Sequence, residues 1–209
     1  MERTNASSSA TNPPNAAAPP FARFLACLCN ALRVSFRTLA QAEVTSPGSG
    51  RSAFYDWRVA EFVPPDFVVP LGLETSEFVL EPLGPEHNDL DYDAWTSSLE
   101  HIRATPGYPD GSWPRAMTRD ENRADLQRHA DDFRARRGFT YTVLDPAGRD
   151  VIGCVYIYPP RESDGDNDAC ALSWVRESHA HLDVPLWRAV SEWLRSDWPF
   201  AGVEYAPRA

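Results

Sequence analysis

The order of its strand-like and helix-like segments limits what this 209-residue chain can fold into more than any other feature. From residue 77 onward, two-residue alternation predicts strands, and apolar side chains three or four residues apart predict helices. The predicted order is strand, helix, helix, three strands, helix and strand, and no segment repeats another. A chain of this length holds one domain with an extension, or at most two small domains.

The first two helices are predicted from their apolar spacing and from their ends. Residues 85–105 have four apolar side chains at helical spacing: Leu90, Trp95, Leu99 and Ile102. Residues 118–138 begin with a capping box, Thr118 with Glu121, and end with several Arg followed by Gly138. Such an end predicts a helix that closes on a glycine cap.

The third helix follows a short β-like run and is the most amphipathic of the three. Its sequence LDVPLWRAVSEWLRSDW predicts Asp183 as the N-cap residue and places Pro185 in the first turn. Between the second and third helices, two β-runs flank the turn DPAGRD and a third run reads DACALSWVR. The last run, AGVEYA, predicts a short strand.

Residues 1–58 are predicted to be a disordered or appended extension of a domain at residues 59–209. The first twenty residues are mostly Ser, Asn, Ala and Pro, so burial would not offset the entropy lost on ordering. Residues 21–41 have apolar side chains on one face and Arg mostly opposite, which predicts one amphipathic helix. Three interpretations of it stay open: a membrane-surface helix, a targeting segment, or translation from a start site assigned too far upstream.

Charge is distributed unevenly along the chain. The formal net charge is −10, with +3 in residues 1–58 and −13 in residues 59–209. An acidic domain repels a phosphate backbone, which argues against nucleic acid as a partner and suits an amine or another cation, although acidic surfaces also serve solubility. Every basic residue is Arg and Lys is absent, which is typical of a GC-rich bacterial genome. No run approaches the ~18 apolar residues of a membrane span, and we expect a cytoplasmic protein.

The four cysteines give no metal-binding pattern. None stands in a CxxC pair or at ligand spacing from a histidine, so no metal site is predicted. Cys154 and Cys170 fall on two runs predicted to be neighbouring strands. We expect two buried thiols there and no disulfide.

Three segments within residues 77–206 resemble the GNAT N-acetyltransferase superfamily. They are EFVLEPLGPEHNDLDYDAW at the first strand and helix, TVLDPAGRDVIGCVYIYP at the central hairpin, and ALSWVR before the third helix. The resemblance implies an α+β fold with a GNAT-like mixed, mostly antiparallel sheet flanked by helices, in the order β-α-α-β-β-β-α-β. It also implies transfer of an acyl group from acyl-CoA to a small, amine-bearing substrate.

In proteins of this superfamily the strand that ALSWVR resembles splays from its neighbour and pairs with the pantetheine arm of acetyl-CoA. Carried over to this sequence, the cofactor-binding backbone would be that of Ser173, Trp174 and Val175. One backbone amide there polarises the thioester carbonyl. The amide is a preorganised donor to the oxygen on which negative charge develops.

Two departures from the family pattern weaken the expected cofactor binding. The turn that usually carries glycines around the pyrophosphate reads ESHAHLD at residues 177–183, with no glycine and a carboxylate at each end. Arg176 and Arg188, with His179 and His181, are the side chains that could compensate. The family's C-terminal helix and closing strands, which often supply a Tyr acid, have no counterpart before Ala209. We therefore expect acetyl-CoA to bind weakly.

Candidate side chains for the chemistry and for the acceptor pocket follow from the same resemblance. The catalytic candidates are Glu204, Tyr205 and Glu177, because a base must take a proton from an ammonium near the thioester. The acceptor-site candidates lie on or beside the loop between the first two helices or on the central hairpin: His101, Tyr108, Trp113, Arg115 and Tyr156. Each of these could instead serve only in packing.

Two functions stay open at this point. The first is an acetyl-CoA-dependent N-acetyltransferase. The second is a catalytically inactive GNAT-fold protein that binds a ligand or a partner. An exposed edge at the last strand makes a homodimer a further expectation.

Overall fold

The structure is a computed structural model that describes residues 61–108, 113–161 and 164–209. The predicted extension at residues 1–58, with its amphipathic helix near 21–41, lies outside the described residues. The predicted domain boundary at residue 59 therefore stays a prediction.

Six strands form one sheet in the order β1-β2-β3-β4-β5-β6. Their bounds are β1 Leu73–Glu74, β2 Val79–Pro82, β3 Phe139–Leu144, β4 Val151–Tyr158, β5 Ala169–Val175 and β6 Val203–Tyr205. Each neighbouring pair from β1 to β5 is antiparallel, whereas β5 and β6 are parallel. The predicted fold class, an α+β fold with a mixed and mostly antiparallel sheet, is confirmed. Only the two-residue β1 was not predicted.

Within the described residues, four α-helices flank the sheet: α1 Asn88–Thr96, α2 Leu99–Ala104, α3 Arg119–Arg134 and α4 Asp183–Asp197. The predicted capping box of α3 is present, with the Glu121 N–H donating to Thr118 Oγ1 and the Thr118 N–H donating to Glu121 Oε2. None of the described helices is long and apolar enough to cross a membrane.

The single helix expected over residues 85–105 is two helices. Ser98 separates them with a φ of −135°, and its hydroxyl accepts a hydrogen bond from the distant Glu177 N–H at 2.9 Å. Leu90, expected on the buried face, is 41% exposed, whereas Asp91 is buried. The tertiary hydrogen bond at Ser98 and the break beside it are the physical reason for the difference.

The end of α3 also differs from the prediction. The residue with a left-handed backbone is Arg136, at a φ of 56°, and not Gly138. Nη2 of Arg136 donates to the carbonyls of Pro64 and Phe67, and these bonds hold the unusual conformation in place. Gly138 is needed for another reason, since a Cβ there would lie 2.1 Å from the ring of Tyr158.

The core has two parts, one on each face of the sheet. On one face α4 buries four apolar side chains, Leu186, Val190, Trp193 and Leu194. Residues 61–72 cross this face too, and Val63 is 1% exposed within it. On the other face α1, α2 and α3 cover Cys154 and Trp174, among others. Cys154 and Cys170 are both buried, as predicted.

Candidate functional site

The parallel strands β5 and β6 separate after three residues. Their register runs Ala169↔Val203, Cys170↔Glu204 and Ala171↔Tyr205, whereas β5 continues to Val175. We call the region beyond the last paired residues the wedge. One side of it is residues 172–175 of β5, and the other is residues 206–209, which we call the C-terminal arm.

Backbone groups of β5 face into the wedge. The carbonyl of Ser173 points there, because it accepts a hydrogen bond from the C-terminal arm. Backbone direction alternates along a strand, so the N–H and C=O of Val175 point to the same side. Within the described residues, no backbone hydrogen bond outside the sheet ladder reaches Val175. The expected splaying of this strand from its neighbour is therefore present, on the side of β6.

Arg208 of the C-terminal arm fills part of the wedge. Its side chain is 2% exposed, and its Nε donates to Asp183 Oδ2 at 2.9 Å. Nη2 donates to the Ser173 carbonyl at 3.1 Å, and Nη1 donates to the carbonyls of Pro106 and Ala206. A buried arginine is rare unless its donors are satisfied, and here all three nitrogens have acceptors.

Tyr205 lies at the point where the strands separate. Its hydroxyl and Ser173 Oγ share a hydrogen bond of 2.6 Å, and Nη2 of Arg208 lies 3.3 Å from the same Ser173 Oγ. Burial raises the pKa of Tyr205 to about 12. The hydroxyl is therefore protonated at neutral pH and can donate a hydrogen bond, although burial makes it a weaker acid than an ordinary tyrosine.

Asp183 is not the N-cap residue that was predicted. A 3₁₀ helix over Glu177–Leu182 runs directly into α4, so the capping position falls on Leu182 and Asp183 is the first helical residue. An N-cap side chain must accept an amide of the first turn. The Asp183 carboxylate turns instead to the guanidinium of Arg208.

Backbone amides in the turn after β5 are already bonded. The N–H of Arg176 donates to the carbonyl of Ile152 at 2.7 Å, and the N–H of His179 donates to the carbonyl of Arg176 at 2.8 Å. The Glu177 N–H donates to Ser98 Oγ. These three backbone donors are therefore not free for a phosphate, and side chains would have to make more of its contacts.

The two arginines expected to contact phosphate differ in their surroundings. Arg176 is bound to Asp150, with Nη1 at 2.9 Å and 3.1 Å from the two carboxylate oxygens. Arg188 is exposed on α4. Of the two, Arg188 is the better placed for a ligand, because Arg176 would have to give up its ion pair.

The carboxylates Glu177 and Glu204 are both exposed. Glu177 begins the 3₁₀ helix after β5, and Glu204 lies in the middle of β6, paired with Cys170. No hydrogen bond within the described residues joins either carboxylate to Ser173 or Tyr205.

Trp113 lies at the centre of an aromatic cluster on the α1–α3 face. Its ring centroid is 6.3 Å from that of Trp95, 5.7 Å from Tyr108 and 5.8 Å from Trp174. The Nε1 of Trp174 donates to the hydroxyl of Tyr156 at 3.2 Å. Three predicted acceptor-site residues, Tyr108, Trp113 and Tyr156, are thereby brought together.

Two polar atoms near this cluster are buried without a hydrogen-bond partner among the described residues, the Tyr108 hydroxyl and His101 Nε2. Burial, with the thiol of Cys154 and the hydroxyl of Tyr205 nearby, raises the pKa of Tyr108 well above its usual value. Arg115, the fifth candidate, is half-buried two residues after Trp113.

Sequence reasoning missed Arg208 and Asp91. Asp91 is 4% exposed, accepts from Asn122 Nδ2 at 2.9 Å, and lies 3.6 Å from the Cys154 thiol. Burial raises the pKa of Asp91 to about 6. A signal for Asp91 existed, because it lies one helical turn before the apolar Trp95 and hence on the same face. Nothing in the sequence around Arg208 singles it out.

The described residues contain no group of three or more His, Cys, Asp or Glu side chains that could hold a metal ion.

No protein-family profile matches the chain, and no curated protein matches it significantly. Several solved structures are similar to it. One is described as a GNAT-family acetyltransferase from Bordetella pertussis, with 23% identity, a TM-score of 0.40, and coverage of 61% of this chain and 73% of that one. A ribosomal-protein-S5-alanine acetyltransferase from Vibrio fischeri has 14% identity and a TM-score of 0.45, over 60% of this chain and 67% of that one.

The microcin C7 self-immunity acetyltransferase, solved with acetyl-CoA and AMP, has 9% identity and a TM-score of 0.45, over 61% of this chain and 66% of that one. At such identities and TM-scores the likeness says nothing about activity or ligands. The order of elements and the parting of β5 and β6 are those that the sequence resemblance implies. The described part of the chain has the α+β fold, with a mixed and mostly antiparallel sheet, that the sequence resemblance implies.

Proposed function

We propose that this protein is an acyltransferase that moves an acyl group from acyl-CoA to a small, amine-bearing acceptor. The observation that carries the proposal is the β5 edge at Ser173–Val175, whose wedge-facing backbone groups are not paired with β6. An extended edge of this kind pairs with the amide groups of a pantetheine arm as it would with another strand. Trp174, between the two, would be fixed by its hydrogen bond to Tyr156.

Acyl-CoA would supply a thioester, whose carbonyl carbon gains a bond to the amine nitrogen as its C–S bond breaks. The N–H of Val175 would donate to the carbonyl oxygen, where negative charge develops. Tyr205, protonated at neutral pH, is proposed to give its proton to the leaving sulfur through its position beside Ser173. Glu177 and Glu204 are the proposed bases that take the amine proton, directly or through water.

The phosphate end of acyl-CoA would fit this site less well than the pantetheine arm would. The turn amides are bonded within the protein, and the Asp183 carboxylate lies nearby. Arg188 is therefore proposed to make the main phosphate contact, with Arg176, His179 and His181 as secondary partners. The acceptor amine is proposed to bind beside the aromatic cluster and to contact His101, Tyr108, Trp113, Arg115 and Tyr156.

Calorimetry with acetyl-CoA tests the proposal. We expect a Kd of about 0.1–1 mM, because the β5 edge is intact and the phosphate turn is not. Arg188→Ala should weaken binding by roughly threefold, the size of one exposed charge contact. Arg195→Ala is the matched control: it removes an exposed arginine of the same helix that pairs with Glu192, and it should leave the Kd unchanged. Micromolar binding by the wild type, or equal losses in both variants, would contradict this account of the phosphate contact.

Transfer itself is measured by the release of free CoA thiol in the presence of a panel of small amines. Release that depends on the amine supports an enzyme. Binding of acetyl-CoA without release of thiol under any amine of the panel would contradict the transfer step.

The second candidate function is a catalytically inactive GNAT-fold protein that binds a ligand or a partner. One observation favours it: Arg208 already occupies the wedge, and its guanidinium bonds the Ser173 carbonyl. A protein of this kind would show no heat and no thermal shift with acetyl-CoA.

The setting of the activity is also proposed. The arginine-only basic composition and the acidic domain suit a bacterial, cytoplasmic protein with a small-molecule substrate and no nucleic-acid partner. The three-residue β6 is the last strand in the sheet order, and a homodimer through this edge is part of the proposal.

A further inference from the structure

The contacts of Arg208 account for much of the way the C-terminal arm is held. Its guanidinium has acceptors from three separate parts of the chain, Asp183 of α4, Ser173 of β5 and the Pro106 carbonyl after α2. The other described features of the arm are slight. Pro207 and Ala209 are exposed, and Ala206 lies beside Gly107.

The place that Arg208 takes is the place that a pantetheine arm needs. The Ser173 carbonyl is a wedge-facing acceptor of β5, and Nη2 of Arg208 lies 3.1 Å from it. The sheet ladder has already ended at Tyr205, so Arg208 does not extend it. The carbonyl oxygen could accept a second hydrogen bond, but the Arg208 side chain is 2% exposed, so its guanidinium and an extended ligand chain cannot fill the same space beside that carbonyl.

We propose that the C-terminal arm competes with acyl-CoA for the wedge, with Arg208 as the plug, so that the ligand binds only when the arm lifts. The inference rests on the proposed function, because it takes acyl-CoA as the competing ligand. It makes the observed arrangement the closed state of the site. Release of one side chain opens it, since no other described side chain of the arm makes a hydrogen bond or ion pair.

Removal of the Arg208 side chain should tighten acyl-CoA binding. We expect Arg208→Ala to bind acetyl-CoA at least tenfold more tightly than the wild type in calorimetry, with Arg195→Ala unchanged as the control for the lost charge. Circular dichroism establishes that each variant is folded.

Arg208→Ala leaves the Asp183 carboxylate without its partner, and this can weaken the fold or repel the phosphates. The double variant Asp183→Asn/Arg208→Ala removes that charge, and Asp183→Asn alone is its matched reference. A tenfold gain of the double variant over Asp183→Asn supports competition as fully as a gain in the single variant.

Chemical labelling gives a readout on the wild-type protein. An arginine-specific dicarbonyl should modify the buried Arg208 slowly in the free protein and several-fold faster when acetyl-CoA is saturating. The exposed Arg195, which has no proposed contact with the ligand, serves as the internal reference, and mass spectrometry locates the labels.

The outcomes separate the two proposals. If the wild type binds acetyl-CoA but neither arginine-free variant gains affinity, or Arg208 labelling stays slow in the complex, competition is wrong and the proposed function stands. If neither the wild type nor a folded variant binds acetyl-CoA, both the proposed function and the competition are wrong.

Discussion

Two buried charged side chains, Asp91 and Arg208, are compensated to very different degrees. Arg208 has a carboxylate and three carbonyls around its guanidinium. Asp91 has one amide donor, from Asn122, and a long contact with the Cys154 thiol. Desolvation therefore dominates at Asp91 and favours its protonated form.

This difference predicts how stability depends on pH. The pKa of Asp91 is raised by burial from 3.8 to about 6 on folding, so the folded protein holds this proton more tightly than the unfolded chain. The penalty for burying the carboxylate is absent below about pH 4, grows as the pH rises, and is complete above about pH 6, where it reaches about 3 kcal/mol.

The substitution Asp91→Asn should remove that penalty. Chemical denaturation should show the variant to be more stable than the wild type at pH 7, by up to about 3 kcal/mol, with the advantage disappearing near pH 4. Asp89→Asn, on the same helix with its side chain 84% exposed, is the control and should show no such trend. A difference between Asp91→Asn and the wild type that did not vary with pH would contradict the assignment.

At the scale of the elements, the capping box at the start of α3 was predicted correctly. Thr118 and Glu121 exchange hydrogen bonds between side chain and backbone, so two first-turn donors are satisfied within four residues. The helix packs Leu126 on the core and carries few other apolar groups. Its stability should therefore depend more than usual on its cap.

Thr118→Ala should lower the free energy of unfolding by about 1 kcal/mol, because it leaves first-turn amides without an acceptor. Thr96→Ala is the matched control. The Thr96 hydroxyl only donates to the Tyr92 carbonyl one turn earlier, and its loss should cost less than about 0.5 kcal/mol. Equal losses in the two variants, measured by urea denaturation, would show that the cap contributes nothing specific.

For the molecule as a whole, the segment before β1 belongs to the folded core. Val63 is 1% exposed, and Phe62 stacks on Phe139 and Phe200 with ring centroids 5.7 Å and 5.2 Å apart. The Arg136 guanidinium bonds two carbonyls of the same segment. Residues 61–72 therefore pack against one face of the sheet and are part of the domain.

Two valines of this segment provide a matched test. Val63→Ala should cost about 2 kcal/mol of unfolding free energy, from lost burial and the cavity left behind. Val68→Ala, at a position 86% exposed, should change it by less than about 0.5 kcal/mol. If thermal and urea denaturation showed both variants to be neutral, the segment would lie outside the cooperative unit.

The sequence alone was sufficient for features that depend on residues close together in the chain. The spacing that predicts α4, the Thr118–Glu121 box and the β-runs on either side of DPAGRD are local, and local periodicity survives folding because it determines which face can be buried. The order of these elements, with the resemblance it supports, was enough to predict the fold class.

Tertiary structure decided what depends on residues far apart. Arg208 meets Asp183, Ser173 and Pro106 across separations of 25, 35 and 102 residues, and Ser98 meets Glu177 across 79. Because of these contacts, Asp183 forms an ion pair and does not cap the helix, and the one helix expected is two. They also place Arg208 in the wedge. Such contacts form only after β5, α2 and the C-terminal arm have been brought together by burial of the core. No sequence pattern of helical or strand period records them.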